Sequence, residues 1–446
     1  MTEDRWFYKT EIVVNVGSLD GISYKTLQVK EKEDQELSIT EAASNSNSIS
    51  NERYTIEHSA DGILIFDKKL GKTFENILYL EDGGDEGDSY DYSYPDKEIE
   101  LVISNHLAGA EVKCVQTSQF ATMCLEGEFM IPGSLETRAK REMDTPLHYE
   151  IVLELDPTSP IIRVHGSLLN QAKDHRVRLG IRTGLRSQNS YAGTQFGYVK
   201  RPCVPQEFKD WREKGFFEEP CNTRPLLNHV SAVGEEYTLT VFTRGLKEYQ
   251  FTGDNFSDIN LTLFRSMGYV GLPDLNRRPG RPSGLANKIF PSPEHQLLGE
   301  NTFDFGVAFY PQYDGNQIMR DYAEFAVDPM CFQDQDIDKT LYPIAYFPIN
   351  PLEKRLPRTY KFLSLDNFKG SFGTVRKTEK QDGYLLQIFN SEESVLEGGE
   401  LELGFDCSRK LHVNLLEEPM SDEDQSLTML TKGELKNVLL VKGELK

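Results

Sequence analysis

A chain of 446 residues, 38% of them hydrophobic, is long enough for about three domains and apolar enough to bury real cores, which excludes a disordered polymer. Its formal net charge of -22 excludes nucleic acid and an anionic membrane surface as partners, because neither gains from carboxylates brought up to phosphates.

The chain opens with MTEDRWFYKT, which lacks the basic flank and apolar run of a signal peptide. No later stretch approaches the length of an apolar membrane span. EAASNSNSISN, residues 41–51, is a small, polar, turn-forming seam that closes a short N-terminal strand segment, residues 1–44. Beyond it comes LEDGGDEGDSYDYSYP, Leu80 to Pro95, where six carboxylates and three tyrosines share sixteen residues with Gly83, Gly84 and Gly87. Such a run repels itself unless solvent, basic neighbours, a cation or a hydroxyl-rich ligand offsets the charge.

Period-two alternation then dominates. Tyr149, Ile151, Leu153 and Leu155 alternate with His148, Glu150, Val152 and Glu154, and Val177, Leu179 and Ile181 alternate with Arg176, Arg178, Gly180 and Arg182. Both predict antiparallel strands with one wetter face. A short helix is expected near Phe208 and Trp211. LFRSMGYVGLPDLNRRPGRPSG, Leu263 to Gly284, sets Arg277, Arg278 and Arg281 among prolines and glycines that exclude both helix and regular strand. Those arginines either neutralise the acidic loop or join it as one wall of a polar cleft.

QIMRDYAEFA is the best helical candidate, with Ile318, Met319, Tyr322, Phe325 and Ala326 on one face. FPINPLEKRLPR, residues 347–358, interrupts the pattern with three prolines before new strands, among them the alternation of Leu401, Leu403, Phe405 and Cys407. The terminal KGELK pair, at 432–436 and 442–446, is too short a series for a repeat architecture and suits the flanks of a closing strand. With crossover helices missing, the fold class is all-β, of sandwich type. The divisions predict a large β domain over residues 45–340 and a C-terminal β-sandwich over 341–446.

Chemical signatures are few. The eight histidines form no HExxH, HxH or HxD, and GxSxG, P-loop and GxGxxG motifs are missing. The six cysteines form no CxxC pair and read as free thiols of a reducing compartment, so the expected location is cytoplasmic. For the acidic loop, calcium is a weak candidate, because Asp82, Asp85, Asp88 and Asp91 recur every three residues rather than with EF-hand spacing. A solvated loop and a sugar-facing loop are the alternatives, the latter using carboxylates for hydroxyls and tyrosine rings for the C–H face of a pyranose.

RYTIEHSADGILIFDKKLGKTFENILYLEDGGDEGDSYDYSYP, NQAKDHRVRLGIRTGL, VKRP, GLKEY, LFRSMGYV with RRPGRPSG, and GENTFDFGVAFYP follow one another between Asn51 and Pro311. In this order they resemble the C-terminal half of family 38 glycoside hydrolases, the α-mannosidases, in their mannosylglycerate-hydrolase-like branch. The resemblance implies a large antiparallel β-supersandwich of galactose-mutarotase-like type with smaller flanking β-sandwiches. It also implies that zinc, nucleophile and acid/base carboxylate belong to a catalytic barrel domain outside this stretch, missing or on a separate chain. No catalytic or metal-ligating residue is therefore assigned here, and the chain alone is expected to be inactive. By motif match Tyr90 looks like the tyrosine that reaches the sugar, with Tyr92 in reserve, and Arg281 like the arginine whose loop carbonyl faces it. Asp85 and Asp88 are the secondary substrate-binding candidates. The expected ligand is a mannose-containing carbohydrate, and an oligomer is left open. The rival expectations are a stand-alone carbohydrate-binding module and a structural half that docks a separate catalytic chain.

Overall fold

The computed structural model describes residues 16–17, 19–28, 47–96, 100–280, 289–332, 356–364, 367–420 and 429–443. The chain divides into two compact units, Ser38–Ala326 and the pair of segments Met1–Leu37 and Val327–Lys446. Every strand pairing described is antiparallel, and the fold class is all-β.

Ser38–Ala326 holds a nine-stranded sheet in the order Gly197–Pro202, Asn189–Thr194, His229–Val233, Thr238–Arg244, Gly299–Tyr310, Ile162–Asn170, Thr145–Leu155, Ala121–Ile131, Glu111–Gln116. A six-stranded sheet runs Arg224–Pro225, Glu248–Thr252, Asp258–Ser266, His175–Arg182, Leu78–Gly84, Val102–Asn105. A third, of four strands, spans Ser48–Ser50 to Lys72–Phe74. Alternation decides which side of each strand is dry. Tyr149, Ile151, Leu153 and Leu155 from one sheet and Val177, Leu179 and Ile181 from another enter the same buried cluster. Each such side chain contributes about 1.5–3 kcal/mol on leaving water.

The helical stripe forms the helix Gly315–Ala326, with Ile318 and Phe325 buried against Ile161, Phe242 and Ala308. Near Phe208 the chain makes a single 3-10 turn, Gln206–Lys209.

In the other unit, Ile22–Lys25 pairs with Thr359–Ser364, which pairs in turn with Glu402–Leu403. A four-stranded sheet, Ser371–Lys377, Gly383–Phe389, Leu435–Lys442, Cys407–Val413, makes most of the remainder. The alternation over residues 401–407 is not one strand: it breaks at Gly404–Asp406, where the chain leaves one sheet for another. Most of the polar seam before Ser48 and of the proline-rich seam at 347–358 lies outside the described residues.

Candidate functional site

The acidic run starts inside the strand Leu78–Gly84, where Leu78, Leu80 and Asp82 share a face. The first two fill the core. Asp82, wholly buried, ends that face against the Arg138 guanidinium and His175 Nδ1, the latter at 2.6 Å. His175 Nε2 meets Asn170 Oδ1 at 3.0 Å, and Arg138 Nη1 donates to the Leu101 carbonyl at 2.6 Å. Burial pushes the Asp82 carboxyl up, but His175 and Arg138 outweigh it and hold it below the usual carboxylate value.

Beyond Gly84 the backbone folds on itself. Asp85 Oδ1 accepts from the amides of Gly87 at 2.8 Å and Ser93 at 3.2 Å, while Oδ2 accepts from Arg265 Nε at 2.7 Å. A Cβ on residue 87 would lie 2.0 Å from the Asp91 carbonyl, so only glycine lets this turn close. Asp88 Oδ1 accepts from the amides of Tyr90 at 3.0 Å and Asp91 at 3.1 Å, an Asx turn. Its Oδ2 takes the Leu272 amide at 2.9 Å and the Arg278 guanidinium. Arg278 also reaches Asp91 at 3.3 Å, and Arg277 holds Glu219 at 3.2 Å and the Tyr92 carbonyl at 3.2 Å.

The acidic loop and the arginine-rich stretch therefore meet, and their meeting is internal neutralisation. Asp85 and Asp88 have both carboxylate oxygens engaged within the protein and almost no exposure, so they shape the loop instead of facing outward. Arg281 lies outside the described residues. Glu86 differs: half-buried, its carboxyl is pushed up by burial and by Asp96 and Asp85.

The tyrosines separate by depth. Tyr90 is 54% exposed beside Arg278, whose guanidinium carbon is 5.8 Å from the ring centroid. Tyr92 lies over the Arg176 guanidinium at 3.4 Å, and Tyr94 points its hydroxyl at Glu219. Next to the loop is a cleft of about 640 Å³ whose walls include Lys173, Asp174, Tyr269, Glu294 and Asn301. It is tied to the loop by backbone bonds, from the Asp85 amide to the Asp174 carbonyl at 3.0 Å and from the Ser89 amide to the Tyr269 carbonyl at 3.2 Å. Reciprocal bonds of 2.9 and 2.7 Å between Gln296 and Asp174 stiffen its floor. Pro291, Pro293, Leu297 and Leu298 are also part of its lining, so the cleft mixes polar and apolar surface, with the half-exposed Tyr269 ring in its wall. Such a surface suits a ligand with many hydroxyls and few charges.

Sequence reasoning missed Arg265, Arg138 and His175 as partners of the acidic loop, and Tyr269 in the cleft wall. Arg176 and Arg178 were visible as the wet side of a strand, but that side is roofed by the loop and buried.

The zinc implied for the complete enzyme is poorly matched here. Among the described residues, the metal-type side chains that converge are Cys124, Glu126 and Glu150. That set has no imidazole, and Glu126 is already held by Lys113 at 2.9 Å. Burial, with Glu150 and Glu126 beside it, pushes the Cys124 thiol up to about 11. No catalytic step is derived through a metal at this place.

Residues 49–276 match the family described as glycosyl hydrolases family 38 C-terminal domain. A protein of Halalkalibacterium halodurans named "putative mannosylglycerate hydrolase" is 28% identical over 277 residues, which cover 58% of this chain and 28% of that protein. Among solved structures, an alpha-mannosidase from Enterococcus faecalis V583 is similar at a TM-score of 0.69 with 20% identity, over 89% of this chain and 42% of that one. A second Enterococcus faecalis structure, of a family 38 glycosyl hydrolase, gives a TM-score of 0.65 with 20% identity over 89% and 44% of the two chains. The chain thus spans less than half the length of each of these relatives.

Proposed function

The chain belongs to the family 38 glycosyl hydrolases through their C-terminal domain, and we propose on that premise that it forms the sugar-facing wall of an α-mannosidase. In this reading zinc, the attacking carboxylate and the acid/base belong to a catalytic barrel domain that this sequence does not contain. A retaining glycosidase needs two carboxylates about 5 Å apart on either side of the scissile bond. The loop acids do not serve, because Asp82 is committed to Arg138 and His175, and Asp85 and Asp88 to arginines and backbone amides.

One observation carries the proposal: Tyr90 stands exposed on a loop whose carboxylates turn inward and lock its base. An aromatic ring so held offers its face to the C–H side of a pyranose with little further loss of freedom. Hydroxyls on the far side would meet Lys173, Asp174 and Asn301 in the adjoining cleft. Asp85 and Asp88 act as braces for Tyr90, and the loop of Arg281 is proposed as the facing contact. A cytoplasmic location fits this reading, and among the described residues no helix is long and apolar enough to cross a membrane.

The test uses the chain alone and the chain joined to its catalytic domain. Alone, with zinc supplied, it releases no mannose from mannosylglycerate; release by the metal-stripped chain would overturn the proposal. In the joined enzyme Tyr90→Ala lowers kcat/KM for a mannoside at least tenfold, about 1.4 kcal/mol of transition-state stabilisation. A change within twofold removes Tyr90 from the site. Micromolar binding of mannose by the chain alone would favour a stand-alone carbohydrate-binding module, a reading that the exposed rings of Tyr90 and Tyr269 also support.

A further inference from the structure

Under the loop the six-stranded sheet carries the guanidiniums of Arg176, Arg178 and Arg265, with Arg182 further along the same face opposite Asp258. Arg265 is paired with Asp85 and Arg178 with Glu81, whose Oε1 accepts from Arg178 Nε at 2.8 Å. Arg176 has, among the described residues, neither hydrogen bond nor ion pair, although it is only 7% exposed. Its close contact is the Tyr92 ring. Each of the other two under the loop thus has its own carboxylate, and the charge of Arg176 has none in direct contact among the described residues. A tyrosine face attracts that charge but does not neutralise it. Burial, and Arg178 beside it, pull the Arg176 guanidinium down to about 10, so it is still a cation at neutral pH.

There is room beside it. In the antiparallel register Arg176 lies opposite Gly83, and Gly83 opposite Val102, so the three share one face. A Cβ on Gly83 would meet, among the described residues, only Val102 Cγ2 at 3.8 Å. Val102 is itself half exposed, so among the described residues the row leads from the guanidinium over a bare backbone to solvent. A small group resting on Gly83 would share a face with the Arg176 guanidinium, which favours negative charge. A planar guanidinium matches two oxygens of an oxyanion with parallel N–H donors.

We propose that Arg176 and the Gly83 notch form a binding site for a small oxyanion, a carboxylate or phosphate group carried by a sugar or free in solution. The site needs no catalytic domain and is independent of whether Tyr90 touches a mannoside. An oxyanion seated there would add to the charge balance that holds Tyr92 and the loop in place.

Thermal unfolding and calorimetric titration of the purified chain in an anion-poor buffer test this. Inorganic phosphate and mannose 6-phosphate should bind with millimolar or tighter affinity and raise Tm by a few degrees, while glycerol at equal concentration does not. Arg176→Gln should abolish both effects and, by removing a buried charge that no carboxylate contacts among the described residues, raise Tm without phosphate. Gly83→Val, which fills the notch and keeps the charge, should weaken phosphate binding at least tenfold. Arg186→Gln, at an exposed arginine, should leave it unchanged. Tenfold tighter binding of mannose 6-phosphate than of phosphate assigns the oxyanion to a sugar, and equal affinities assign it to a free anion; either supports the site. It is overturned if the native chain shows no response, or if the response persists in both Arg176→Gln and Gly83→Val.

Discussion

The loop Leu80–Pro95 and the glutamate-rich face of the nine-stranded sheet use the same acidic residues in opposite ways. In the loop Asp82, Asp85 and Asp88 are all buried: Asp82 meets Arg138 and His175, while Asp85 and Asp88 each meet an arginine together with backbone amides. On the sheet Glu111, Glu126, Glu128, Glu150 and Glu300 line an open depression of about 560 Å³. Glu111, Glu126 and Glu150 lie directly across three adjacent strands, and the pairs Lys113–Glu126 and His148–Glu128 are both solvent-accessible. Water screens the second group, whereas the first is held by partners in a low-dielectric interior. A net charge of -22 therefore says nothing of which carboxylates support the fold.

Breaking the buried set should have the largest effect. Asp82→Ala leaves Arg138 and His175 without their anion, and a loss of about 3–5 kcal/mol is expected from urea unfolding. A loss under about 1 kcal/mol would erase the distinction between loop and sheet.

Acid should separate the two regions next. The folded-state value of Asp82 is depressed, so its stabilisation is complete above the ordinary carboxylate value near 3.8 and is lost as pH falls through the folded value. Burial also pushes the His229 imidazole down to about 3, so stability declines as pH drops from the ordinary 6.5 towards 3, by at most about 1.4 kcal/mol per pH unit. Stability measured from pH 7 to 3 should show both limbs. Asp82→Asn should flatten the lower and His229→Gln the upper.

The smallest effect belongs to the sheet. Glu150→Gln removes a like charge opposite Glu126 and should change unfolding free energy by no more than about 0.5 kcal/mol, in the stabilising direction. A destabilisation above about 1 kcal/mol would mean that this face, too, is held by its carboxylates.

Much of the fold was legible because alternation is a local signal. Ile151, Leu153, Val177 and Ile181 fall on the dry side that the sequence indicates, and Ile318 with Phe325 anchors the helix. What lay beyond it was set by distant segments. Arg176 and Arg178 look like the wet side of a strand, and only the loop folded over them, from some ninety residues upstream, buries them. The broken strand at residues 401–407 is a second case, since a period-two pattern does not reveal where a chain changes sheets. At the candidate site the motif match singled out Tyr90 as the tyrosine that reaches a sugar, and in the structure its ring is exposed. The inward turn of Asp85 and Asp88 was hidden, because it depends on Arg265 and Arg278, about 180 and 190 residues away in the chain.

The pairing of Ile22–Lys25 with Thr359–Ser364 bears on how the molecule is made. Tyr24 donates to the Pro357 carbonyl at 3.0 Å across 333 residues of chain. At ribosomal speeds that separation corresponds to roughly 15–70 s, during which the first strand waits without its neighbour while the intervening unit folds. A nascent chain shortened past Lys25 would present the Thr359–Ser364 edge bare, and unpaired edges of that kind recruit other strands.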